Sequence, residues 1–235
     1  MQPTVILVHG AYAGSSSWND VAETLVADGH RVIAYANPLR SIAGDTAGLS
    51  ELVRTIDGPV VLVGHSYGGA VISNVAADAG DIAALVFVAG FALEAGESPG
   101  DAASLAPGGT LAETLQTVPL PGGGVDTYIA PRKFYQQFCA DVPERQAMLM
   151  AVTQRPATEG SLNEPAAGAQ GWHELPSWFV FGDEDKNIPV AVHRFLAERA
   201  RARRTAEVPG APHALGVTRP QVVTDIILEA LLALS

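Results

Sequence analysis

The sequence predicts an α/β domain of three layers, with a doubly wound, mainly parallel sheet covered by helices on both faces. Three observations predict it. Short apolar runs rich in valine recur at residues 5–8, 32–34, 60–63, 85–88, 178–181 and 206–208, and unbroken runs of this kind are strands buried on both faces. Between them, residues 18–27, 46–56, 70–79 and 190–200 have the length and mixed polarity of amphipathic helices. Alternation of strand and helix implies right-handed crossovers within one sheet. Finally, the 235 residues are 48% hydrophobic and 17% charged, which supplies one large core and argues against disorder.

The first strand ends in His9-Gly10-Ala11-Tyr12-Ala13-Gly14. Gly10 permits the close approach of a backbone loop to a neighbouring strand end, so the Ala11 N–H can face a site there. The His9 ring is expected to brace this loop by hydrogen bonds.

The third strand runs into Gly64-His65-Ser66-Tyr67-Gly68-Gly69, and a helix begins directly after it. A serine on a tight strand-to-helix turn needs glycine two positions away on each side, because the strained backbone crowds any Cβ there. The turn pushes the Ser66 hydroxyl out of the sheet's carboxyl edge as a candidate nucleophile. It also leaves the Tyr67 N–H and the positive helix end where an oxyanion would form. A dinucleotide fingerprint would need glycine at position 66, and a phosphate-binding P-loop would need Gly-Lys-Ser/Thr, which is absent. His65 precedes the serine on the turn and is assigned a structural role.

After residue 89 no strand-like run is expected until residue 178. The intervening stretch holds Pro99, Pro107, Pro119, Pro121 and the run Gly122-Gly123-Gly124, then a more helical portion over residues 132–153. So long a structureless loop is improbable inside a compact domain. Residues 91–172 are therefore expected to be a mostly helical cap, with residues 1–90 and 173–235 forming the core.

The strand at 178–181 leads into Gly182-Asp183-Glu184-Asp185-Lys186-Asn187-Ile188-Pro189, a set of carboxylates at a strand's carboxyl end, where such sheets keep their sites. Asp185, just before the Ile188-Pro189 turn, is the expected acid, with Asp183 in reserve. The last strand leads to Pro209-Gly210-Ala211-Pro212-His213, and His213 is the one histidine after the acid at a strand-end loop. His193 falls within a predicted helix and is expected to be a surface residue. Ser66, Asp185 and His213 then follow one of the known triad orders: nucleophile, acid, base. Residues 222–234 read as a closing helix, too short and too charged to span a bilayer.

The balance of 14 Lys+Arg against 25 Asp+Glu gives a net charge of −11, which disfavours nucleic acid as a partner. Cys139 is the only cysteine, so neither an internal disulfide nor a cysteine zinc site is expected. It reads as a buried cap residue. With no secretory leader preceding the first strand, a cytoplasmic protein without a membrane partner is expected.

Through HGA(Y)AG, GHSYGG, GDEDKNIP and PGAPH, the chain resembles the α/β-hydrolase superfamily over nearly its full length. It is similar in particular to small bacterial esterases and to the plant methylesterase/hydroxynitrile-lyase branch. The resemblance implies a catalytic role for Ser66, Asp185 and His213 and an oxyanion role for Ala11 and Tyr67. Lyases of that branch carry a hydroxyl residue after the first-strand histidine and a lysine after the catalytic histidine. Gly10 and Ala214 stand there in this chain, which favours ester hydrolysis over cyanohydrin cleavage. The start of the chain corresponds to the third strand of the eight-stranded version, so two antiparallel edge strands are expected to be missing.

The expected reaction is cleavage of a carboxylic ester of a small or medium-sized substrate through an acyl-enzyme, with no metal or organic cofactor. Fold and triad do not by themselves fix the reaction. A lyase, a C–C hydrolase, cofactor-free oxygen chemistry and a slow-turnover ligand sensor stay open on the same residues. Candidate apolar walls of the pocket are Tyr12, Phe91, Tyr128, Phe134, Phe138 and Trp172. Each could equally pack a core, as the helical spacing of Phe134 and Phe138 suggests.

Overall fold

The computed structural model describes residues 2–234; Met1 and Ser235, the outer limits of the expected core, lie outside the described residues. The first half of the chain alternates as expected: β1 (Thr4–Val8), α1 (Asn19–Ala27), β2 (Arg31–Tyr35), α2 (Ile42–Arg54), β3 (Val60–His65), α3 (Tyr67–Ser73) and β4 (Ile82–Val88). Between β4 and the next core strand come α4 (Pro99–Ala103), β5 (Leu115–Pro119), β6 (Val125–Ile129), α5 (Pro131–Phe138), α6 (Glu144–Thr153), β7 (Ala157–Thr158) and α7 (Glu159–Asn163). The chain closes with β8 (Ser177–Gly182), α8 (Val190–Arg199), β9 (Arg204–Val208), α9 (Leu215–Thr218) and α10 (Pro220–Leu232).

The main sheet has six strands in the order β2-β1-β3-β4-β8-β9, and every pairing is parallel. The strands that read as unbroken apolar runs are the central ones. Every residue of β1, β3 and β8 is buried, whereas the edge strands β2 and β9 mix exposed and half-buried positions. Helices α1 and α10 pack against each other, as do α2 and α3, giving the two outer layers that crossovers of one hand produce. The chain runs outward from β1 to β2 and returns to β3 on β1's other side. That reversal opens a crevice at the carboxyl ends of β1 and β3, where sheets of this kind bind ligands.

Two local expectations move. Helix α2 starts at Ile42 rather than at residue 46, because the Ser41 hydroxyl caps it by accepting the Gly44 N–H at 3.0 Å. Helix α3 ends at Ser73, well short of residue 79.

The segment between β4 and β8 holds its expected helices and, in addition, a small sheet. Strands β5 and β6 pair antiparallel, with Leu115 opposite Ile129 and Pro119 opposite Val125, and β7 adds a short third strand through Thr127 and Ala157. The glycine run makes the hairpin turn, in which the Gly123 N–H donates to Leu120 O at 3.0 Å. β5 escaped notice because it is a largely exposed edge strand bearing a proline at its end. Helix α4 is short but well capped: Ser98 Oγ accepts the Asp101 N–H and Asp101 Oδ2 accepts the Ser98 N–H, each at 3.1 Å. No helix among the described residues is long and apolar enough to cross a membrane.

Candidate active site

Ser66 sits between β3 and α3 with φ 54° and ψ −121°, a conformation that costs a non-glycine residue energy and is held only when its surroundings demand it. The surroundings are backbone. A Cβ on Gly64 would lie 2.5 Å from Gly68 O, and one on Gly68 would lie 2.2 Å from Val8 O. The turn is tied down by Ser66 N–H donating to Val88 O at 3.2 Å and by Ser66 O accepting the Gly69 N–H at 2.8 Å.

The loop after β1 approaches as Gly10 led us to expect. A Cβ on Gly10 would come within 2.7 Å of both His65 O and Ser66 Cβ, and 3.3 Å of Ser66 Oγ. Flanking amides are engaged: the Tyr12 N–H donates to Arg155 O at 3.1 Å, and the Ser66 N–H is used as above. The Ala11 and Tyr67 N–H groups have no backbone acceptor among the described residues. Tyr67 is the first residue of α3, whose opening N–H groups have no partner within the helix. Both residues line the same cavity as Ser66.

His213 and Asp185 form a buried pair. His213 Nδ1–H donates to Asp185 Oδ2 at 2.7 Å, and both side chains are wholly buried. His213 Nε2 is buried and has no hydrogen-bond partner among the described residues. His213 is tied to the elbow through its backbone, since His65 Nε2–H donates to His213 O at 3.0 Å and the two rings stand 4.7 Å apart. Asp185 Oδ1 accepts the Asn187 and Ile188 N–H groups at 2.8 and 3.0 Å. Burial favours the neutral carboxyl, but the charge of His213 and hydrogen bonds from His193 and His213 outweigh it and hold Asp185 well below the usual carboxylate range. The reserve candidate Asp183 is exposed and accepts the Gly210 N–H at 2.6 Å.

His193 corrects a sequence expectation. It is not on the surface: its side chain is fully buried, lies flat against Phe181 at 4.9 Å between centroids, and donates Nε2–H to Asp185 Oδ2 at 3.0 Å. The signal was present, since Val192, His193, Leu196 and Ala197 form the buried stripe of α8.

The two other buried histidines brace the site. Burial chiefly, with the nearby charge of His213, lowers His65 to about 3. Burial also lowers His9 to about 4, and its Nδ1–H donates to Gly10 O at 2.9 Å. Cys139 is buried, and burial pushes its thiol up to about 12, so it offers no ready thiolate. Among the described residues no group of three or more His, Cys, Asp or Glu is placed to hold a metal ion.

A cavity of about 660 Å³ opens over Ser66. The profile of the alpha/beta hydrolase family matches residues 5–226 of the chain. The chain belongs to the alpha/beta hydrolase family. It is an enzyme of the serine hydrolase class. It is 28% identical over 265 residues to norfluorocurarine synthase 2 of Strychnos sp, covering 97% of this chain and 95% of that one. It is 26% identical over 249 residues to methylesterase 9 of Arabidopsis thaliana, covering 95% and 96%. Among solved structures, polyneuridine aldehyde esterase superposes with a TM-score of 0.81 at 21% identity, covering 97% of this chain and 99% of that chain.

This hydrolase places its six expected pocket aromatics unevenly. Tyr12 and Phe91 line the cavity. Phe134 and Phe138 do not: their rings lie tilted against each other at 5.0 Å, and Phe138 meets the His213 ring edge-to-face at 5.3 Å. Phe138 thus packs against His213 and is not a wall of the cavity. Trp172 faces away, donating Nε1–H to Leu93 O at 2.8 Å beneath the Arg199 guanidinium, and the half-buried Tyr128 on β6 also lies outside the lining. The walls that sequence reasoning missed are aliphatic and polar: Leu111, Leu115, Thr127, Leu162, Asn187 and Ile188. No single-residue signal marks them, since aliphatic residues of the same types fill the core.

Proposed function

We propose that this serine hydrolase cleaves a carboxylic ester of a small or medium-sized molecule through an acyl-enzyme on Ser66. The observation that carries the reading is the state of the His213 ring. Its Nδ1–H is committed to a buried carboxylate and Nε2 has no partner among the described residues, while His65 ties the His213 backbone to the elbow that holds Ser66 at positive φ. Such an imidazole is in the tautomer that accepts a proton at Nε2.

In the proposed cycle Nε2 takes the Ser66 proton as Oγ bonds to the ester carbonyl carbon. The Ala11 and Tyr67 N–H groups hold the oxyanion. His213 returns the proton to the departing alcohol, and water repeats the attack on the acyl-serine to release the acid. Residues 91–172 act as a cap, a role supported by cavity walls drawn from both the sheet-end loops, with Ser66 and Asn187, and this segment, with Leu115 and Leu162. The lining holds Asp101 and Glu159 but no lysine or arginine. A substrate without an anionic group therefore suits it, since a buried carboxylate needs a partner. The similar proteins named as a methylesterase and an aldehyde esterase support ester chemistry.

The test is a panel of aryl and methyl esters with wild type and Ser66→Ala, with intact-mass detection of an organophosphonate adduct. Wild type should turn over and take one adduct, and Ser66→Ala should do neither. Equal rates, or an adduct that persists in the variant, would overturn the assignment.

A further inference from the structure

The Asp185 carboxylate is surrounded by four N–H donors: two backbone amides on Oδ1, and two imidazoles, His213 and His193, on the same Oδ2. The acid's role in a triad needs only one imidazole. The second therefore calls for its own account, because a fully buried histidine on the stripe of Val192, Leu196 and Ala197 occupies a place that leucine would fill without desolvation cost. Apart from its stack on Phe181, its one side-chain polar contact is Asp185, and its Nδ1 is buried without a partner. His193 thus spends its polar capacity on a single carboxylate oxygen.

We propose that His193 is a positioning residue that holds the Asp185 carboxylate in plane and divides its acceptor strength between two rings, so setting the pH at which His213 becomes a working base. The proposal rests on the triad reading above. A carboxylate that already accepts from His193 pulls less strongly on the His213 Nδ1–H. Loss of that bond concentrates the charge on His213 and favours its protonated form. The other titratable group facing these residues is His65, in ring contact with His213 and with His9 acting on it in turn; Asp183, Glu184 and Lys186 on the same loop are exposed. None of these makes a side-chain hydrogen bond to Asp185.

The experiment compares kcat/KM against pH on one ester for wild type, His193→Leu, His193→Asn and His193→Gln. The glutamine amide reaches about as far as the imidazole Nε2–H and can replace it, while asparagine is too short. His193→Leu and His193→Asn should move the acidic limb up by about one pH unit, and His193→Gln should restore it. The low-field proton resonance of the His213 Nδ1–H should move with the limb. Should leucine fail to fold, the Asn/Gln pair carries the same contrast. An unmoved limb in every variant, or a glutamine variant that behaves like asparagine, overturns the proposal and leaves His193 a packing residue. Activity surviving in Ser66→Ala would instead sink the triad reading itself, so the two failures are distinct.

Discussion

The Tyr12 hydroxyl donates to Thr127 Oγ1 at 2.9 Å and joins the loop after β1 to the sheet inserted between β4 and β8. The direction follows from Thr127, whose own proton goes to Ala157 O at 2.9 Å. Tyr12 has φ 61°, and burial raises its phenol to about 12. The residue after Ala11 is therefore strained and anchored to the inserted sheet.

Tyr12→Phe keeps the ring and removes the anchor. A buried hydrogen bond of this kind is worth about 1–1.5 kcal/mol. If it is felt mainly by the oxyanion, kcat should fall roughly tenfold with KM little changed. Steady-state kinetics decide it, and an unchanged kcat would mean that Ala11 holds its place without Tyr12.

Asp185 and Asp183 share a loop but not an environment. Asp185→Asn should lose about 10³- to 10⁴-fold in kcat, as expected where the acid sets the tautomer of the base. Asp183→Asn should lose only a few-fold, since Asp183 is exposed and merely accepts the Gly210 N–H. The reverse ranking would move the acid to Asp183.

Acid should destabilise the fold through its buried histidines. The folded value of His65, about 3, lies below the ordinary 6.5, so the unfolded chain binds the proton first as pH falls. Its contribution is complete above about pH 6.5 and is lost progressively down to about pH 3. At full development that is roughly 5 kcal/mol. His9 acts in the same sense down to about 4. Thermal melts at pH 7 and 4.5 should show a marked drop for wild type and a shallower one for His65→Gln. Parallel slopes would exclude His65 as the source.

Substrate charge should matter more than substrate size. With Asp101 and Glu159 in the lining and no cation there, an aryl ester whose acyl chain ends in a carboxylate should react about 100-fold more slowly than its neutral isostere. A trimethylammonium analogue should react at least as fast as the neutral one. Comparable kcat/KM for all three would show that the acyl chain does not enter this cavity.

Much of this was legible in the chain because the physics involved is local. Strands β1, β3, β4 and β8 announce themselves through burial on both faces, and the elbow through glycines that steric contact with Val8 and Gly68 enforces. What escaped depends on partners outside the element itself. β5 and β7 gain their strand character from pairing with β6, and β7 is only two residues long. His193 sits on a buried stripe the sequence offers, but its role shows only once Asp185, eight residues earlier in the loop that leads into α8, is placed against it. The cavity walls were obscure for the same reason: Leu111 and Leu162 become neighbours of Ser66 only after residues 89–176 have folded back over the sheet.

In the central sheet β4 pairs with β8, Val86 beside Trp178, across that whole intervening stretch. Ser66 lies on one side of this seam, Asp185 and His213 on the other. Contacts so far apart along the chain form slowly, because closing a long loop costs entropy before any pairing rewards it. During refolding, then, helical signal should return first and turnover last. Recovered activity would serve as a clock for the zipping of one strand pair.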